Sequence, residues 1–73
     1  MRNITHLKLH EKGVIKGFTD DILSVKLMEM GCLPGTEISL ELIAPWGGPI
    51  AIEVSGYQLS LRRNEASSIL IEG

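Results

Sequence analysis

Residues 50–61, "IAIEVSGYQLSL", decide the architecture. Two runs rich in β-branched and aliphatic residues, "IAIEV" and "YQLSL", are parted only by Ser55-Gly56. A two-residue break with a glycine is the shortest connection that reverses an antiparallel pair. With that turn Val54 faces Tyr57, Ile52 faces Leu59 and Ile50 faces Leu61. One face of the hairpin is then apolar at every cross-strand pair, while Ala51, Glu53, Gln58 and Ser60 share the other.

Upstream, "EISLELI" (37–43) alternates, with Ile38, Leu40 and Leu42 on one side and Glu37, Ser39 and Glu41 on the other, which predicts a half-buried strand. "APWGGP" (44–49) breaks the chain between that strand and the hairpin. Earlier still, "VIKGF" (14–18) predicts a strand with a bend or bulge at Gly17. Thr19-Asp20-Asp21 offers caps for a helix over about residues 20–30. On that helix Leu23, Leu27 and Met30 form an apolar stripe that Ile22 and Val25 widen, and Lys26 and Glu29 point away. Gly31 stands where a left-handed residue ends the helix, and Pro34-Gly35 suits the centre of a type II turn. After the hairpin, residues 62–66 predict a short helical turn before a last strand in "SSILIE". The fold expected is mainly β, a small, partly closed antiparallel barrel of about five strands with one helix, in a single domain over residues 1–73, because closure protects strand edges.

Composition narrows the function. One cysteine forms no internal disulfide, and no Cys-x-x-Cys pair offers itself to zinc, so the core must carry the fold unaided. The net charge is −2 and the basic residues are scattered, which excludes nucleic acid as an expected partner. No apolar run reaches the roughly 18 residues of a membrane span, and no basic-then-apolar leader opens the chain. The expectation is a cytoplasmic, soluble protein.

No catalytic set emerges. Cys32, among apolar neighbours and without a base, reads as a small buried hydrophobe. His6 and His10 are four apart but lack a helix to align them for a metal, so they read as surface residues. Asp20 and Asp21 read as helix-start charges and not as an acid–base pair. The glycines of "WGGP" precede no helix and form no phosphate loop. Three aromatics, Phe18, Trp46 and Tyr57, are too few to line a groove for proline-rich peptides. Trp46 reads first as a plug for one end of the barrel and second as an exposed partner anchor.

The ordered set "KLMEMGCLPGTEISL" followed by "APWGGPIAIEVSGYQLSLRRNEASSI" resembles the FeoA family, the small ferrous iron transport protein A of prokaryotes. The matching positions are Leu27, Met30-Gly31, Pro34-Gly35, Ala44-Pro45, Gly47, Pro49, Gly56, Leu59, Leu61-Arg62, Glu65-Ala66 and Ile69. This chain departs from the pattern with Cys32 where an aliphatic residue is common, Trp46 where a smaller or aliphatic residue is, and Gly48 where an acid is frequent. The resemblance implies an SH3-like barrel. It also implies a role in Fe2+ uptake, exercised by contact with the FeoB permease and its GTPase domain, with no enzyme activity, no required cofactor and no metal ligands to carry over. Any Fe2+ or other transition-metal association is then expected to be weak. The contact surface expected is the loop and corner at Trp46, Gly47, Gly48, Arg62 and Arg63. The alternatives are the SH3-like regulatory domain of DtxR-type metal-dependent repressors, which follows a winged helix absent from these 73 residues, and a weak transition-metal-binding module.

Overall fold

The computed structural model describes residues 1–72. Its elements are β1 (Lys12–Phe18), α1 (Asp21–Glu29), β2 (Glu37–Ile43), β3 (Ile50–Val54), β4 (Tyr57–Leu61), α2 (Arg63–Ser67) and β5 (Ile69–Glu72), preceded by a 3-10 turn at Ile4–His6. The strands form one antiparallel sheet in the order β4-β3-β2-β1-β5.

The hairpin register is the one its sequence predicts: Val54 pairs with Tyr57, Ile52 with Leu59 and Ile50 with Leu61. Ser55 and Gly56 both take positive φ, +50° and +84°, as a type I′ turn requires. The barrel is left open, since β4 and β5 lie at opposite ends of the strand order and α2 joins them. The edge of β5 is covered instead by the N-terminal segment, through a bridge between Asn3 and Leu70 and a hydrogen bond from the Ile71 N–H to the Arg2 carbonyl at 2.9 Å. That segment also buries Ile4 and Leu7 in the core, which its unpatterned sequence did not announce.

The helix begins where its caps predict. The Asp20 carboxylate accepts from the Leu23 N–H at 2.9 Å and satisfies a donor with no partner inside the helix. It ends in a Schellman motif: Gly31, at φ +108°, donates to the Met28 carbonyl at 3.1 Å, and Cys32 donates to the Leu27 carbonyl at 2.9 Å. Cys32 is the residue that such a motif turns back onto the core, and both Cys32 and Leu27 are fully buried there. Burial pushes its thiol pKa up, which keeps the sulfur protonated and inert. Gly35, at φ +90°, and the 3.1 Å bond from the Thr36 N–H to the Leu33 carbonyl give the type II turn.

Two expectations about faces fail. Leu42 is 55% exposed, because the register of β2 against β3 slips between Leu40 and Leu42. A bulge at Glu41 adds one residue, and a one-residue slip sends the side chains beyond it to the opposite face. On α1 only Leu27 is buried and Leu23 partly so; Ile22, at 86% exposure, and Val25 face solvent. Nine residues make few turns, and the sheet covers a narrower stripe than the sequence offers. The predicted bulge at Gly17 is present, as a register shift between Ile15 and Gly17 against β5.

Candidate functional site

Trp46 does not plug the barrel: its side chain lies in solvent, 98% exposed. The cause is the connection between β2 and β3. The Gly48 N–H donates to the Pro45 carbonyl at 3.1 Å, and the two central residues, Trp46 and Gly47, have φ +54° and +73°. A reversal with both φ values positive projects its central residues away from the sheet. Glycine accepts that backbone freely, but a bulky residue is strained there by about 1–2 kcal/mol. Gly48 is required by space: a Cβ on it would stand 2.9 Å from the Cβ of Ala44 and 3.1 Å from the Pro45 carbonyl oxygen.

Arg63 holds this loop in place. From the first turn of α2 its Nε donates to the Gly48 carbonyl at 2.7 Å and its Nη2 to the Ala44 carbonyl at 2.9 Å. The two ends of the turn are thereby tied to one planar guanidinium, a fork that lysine cannot imitate. Its neighbour Arg62 caps the same helix with its backbone only. The Arg62 N–H donates to Glu65 Oε1 at 2.8 Å, and its guanidinium meets no hydrogen-bonding or ion-pair partner among the described residues.

Glu65, in sequence only a position matching the family pattern, is nearly buried, with a side chain 6% exposed. Its second oxygen accepts from Lys26 Nζ at 2.7 Å, so α1 and α2 are joined by an ion pair and Lys26 does not point away as its place on the helix suggested. The Lys26 ammonium and the Arg62 N–H favour the carboxylate and hold its pKa below the usual value. The available signal was the glutamate three residues after Arg62, half of a capping box.

These segments enclose a groove of about 520 Å³ lined by Lys26 and Met30 of α1, Gly47, Gly48 and Pro49 of the loop, Ser60 and Leu61 of β4, and Arg62, Arg63 and Glu65. Four of the five sequence-predicted contact residues, Gly47, Gly48, Arg62 and Arg63, thus share one depression, and Trp46 stands beside it at the tip of the loop. The hairpin residues Glu53 and Gln58 pair with each other elsewhere on the sheet.

The histidines stay apart from this groove. His6 accepts the Asn3 N–H on Nδ1 at 3.1 Å, and His10 lies 3.6 Å from Glu41. Among the described residues no three histidine, cysteine, aspartate or glutamate side chains converge as a metal site would need. Among the described residues no helix is long and apolar enough to cross a membrane.

The comparisons with known proteins agree on the fold and name a family. A FeoA domain model matches residues 2–73. The FeoA-like protein of Clostridium acetobutylicum is 39% identical, superposes with a TM-score of 0.86, and is matched over 96% of this chain and 83% of its own. The zinc complex of Stenotrophomonas maltophilia FeoA, described as a procaryotic SH3 domain protein, has a TM-score of 0.83 at 23% identity, over 99% of this chain and 91% of that one. A manganese-dependent transcriptional repressor in complex with manganese shares the fold with a TM-score of 0.87 at 15% identity, and the match covers 97% of this chain but only 35% of the repressor. The likenesses under a quarter identity speak for the SH3-like fold alone. The model match across almost the whole sequence speaks for descent: the chain belongs to the FeoA domain family.

Proposed function

We propose that this chain is a cytoplasmic accessory protein of ferrous iron uptake that docks on the cytoplasmic, GTPase-bearing part of a FeoB-type permease and catalyses no reaction of its own. The observation that carries the proposal is the display of Trp46. A large aromatic side chain stands in solvent on a strained backbone, and a two-toothed arginine clamp holds the loop that presents it. Strain of this kind persists only where the surroundings over-determine it, and a rigid exposed aromatic beside a groove is the usual anchor of a protein contact. The residues that contribute to the contact are Trp46, Gly47, Gly48, Arg62 and Arg63, with Arg63 acting through the loop it holds. No resident cofactor is proposed. The histidines sit on the N-terminal segment and the thiol is sealed in the core, so this chain's own hold on Fe2+ is weak and the cation is the permease's cargo.

The test is copurification with a tagged permease of the same cell, together with Fe2+ uptake. Trp46→Ala and Arg62→Ala variants that keep the parent's circular dichroism should lose both. Variants that copurify and support uptake as the parent does would show that the surface is wrong, and a parent that neither copurifies nor affects uptake would end the adaptor reading.

A further inference from the structure

The groove carries more charge than its place on an acidic chain leads one to expect. Three cationic side chains, Lys26, Arg62 and Arg63, line it against one carboxylate, Glu65, so it holds a net of two positive charges on a protein whose net charge is −2. The carboxylate is already engaged by the Lys26 ammonium and the Arg62 N–H. Arg63 spends its donors on neutral carbonyls, which leaves its charge uncompensated. Arg62 has an exposed guanidinium with no acceptor among the described residues. Between these cations the accessible wall is apolar: Met30 and Pro49, with the backbone of two glycines and the exposed indole of Trp46 alongside.

We infer that the groove receives a short acidic segment of the partner protein, in which carboxylates flank an apolar residue. The apolar side chain lies against Met30 and Pro49, and a carboxylate takes the fork of Arg62, whose planar donors fit it in a bidentate pair. A free inorganic anion would satisfy the charge but leave the apolar wall and the indole unused. A basic segment would meet three like charges. The uncompensated positive charge also steers a negative segment toward the groove, so association should weaken as salt is added. This rests on the adaptor reading and names the chemistry of the segment it would bind.

The test uses the whole chain, uniformly labelled with nitrogen-15. It is titrated with a synthetic twelve-residue peptide of alternating glutamate and leucine, with its lysine–leucine counterpart, and with inorganic phosphate. Expected are amide shifts confined to Met30, Gly47, Gly48 and residues 60–63 with the glutamate–leucine peptide alone, an affinity that falls with added salt, and a loss of about tenfold or more in Arg62→Glu. Arg62 lies on the surface, so folding of the variant is read from the rest of the same spectrum. Shifts elsewhere, no binding at about millimolar peptide, an unchanged affinity in Arg62→Glu, or equal binding of the lysine–leucine peptide would overturn the inference. The same shifts with phosphate would make the groove a plain anion site and overturn it too. Failure here with intact copurification removes the acidic segment and leaves the adaptor role, whereas peptide binding without copurification does the reverse.

Discussion

Replacing Arg63 by methionine keeps the length of the stem and removes both hydrogen bonds that tie down the Trp46 loop. A hydrogen bond with one charged partner contributes about 1.5–3 kcal/mol net when desolvated. Here the bonds are 2.7 and 2.9 Å long but only partly buried, and the freed carbonyls of Ala44 and Gly48 can find water, so the lower end applies and the pair contributes about 3 kcal/mol. Against this, a loosened loop lets Trp46 leave its positive φ and recovers about 1–2 kcal/mol of strain. The expected net loss is about 1–2 kcal/mol. A domain of this size loses roughly 4–8 °C of Tm per kcal/mol, so the melting point should fall by about 5–15 °C. Thermal unfolding by circular dichroism measures this, and Trp46 fluorescence anisotropy reports the loop separately, since it should drop as the indole gains motion. Arg63→Lys should not rescue, because one ammonium cannot reach both carbonyls with the same geometry. A Tm and an anisotropy equal to the parent's would refute the clamp, and with it the view that the loop is held rigid for display.

Leu61 has no exposed surface and is the last residue of β4, so Leu61→Ala should cost about 2–5 kcal/mol and bring a domain of this size close to unfolding, as urea denaturation would show. Gly31→Ala should cost more than about 1 kcal/mol, from its φ of +108° and from the Tyr57 hydroxyl that its Cβ would meet. Part of that cost should vanish in a Tyr57→Phe background, and a strictly additive double mutant would deny the contact. The lowered pKa of Glu65 means that its contribution is complete above its ordinary value, 4.5, and is lost as the pH falls through the lower folded value. The Tm should therefore decline below about pH 4.5, and Glu65→Gln, less stable at neutral pH, should decline less steeply; parallel profiles would count against the Lys26–Glu65 pair.

Much of the fold is legible in the sequence because it is written at short range. The hairpin register, the cap at Asp20, the helix stop at Gly31 and the turn at Pro34-Gly35 each depend on a few consecutive residues whose backbone preferences agree. The misreadings have equally local causes. Leu42 followed from an unbroken period of two, and one extra residue at Glu41 reversed it. The average behaviour of large aromatics predicts Trp46 inside, whereas the geometry of a tight reversal sends its central side chains outward. Ile4 and Leu7 escaped notice because a single 3-10 turn shows no period, and their burial comes from docking across the edge of β5.

By itself the sequence determined the strands, the helix and its ends, the pairing of the hairpin and the resemblance to a family. It also singled out the residues of the proposed contact, Trp46, Gly47 and Gly48 from a loop and Arg62 and Arg63 from a corner further along the chain. Only the tertiary structure decided that four of them line one groove, that Lys26 and Glu65 join there in a salt bridge, and that the Arg62 guanidinium makes no hydrogen bond among the described residues while Arg63 makes two. The physical reason is that secondary structure follows from torsional preference and hydrophobic period, which act over a few residues. Solvent-facing side chains carry no such period, and which of them meet is set by how the buried faces of distant segments pack.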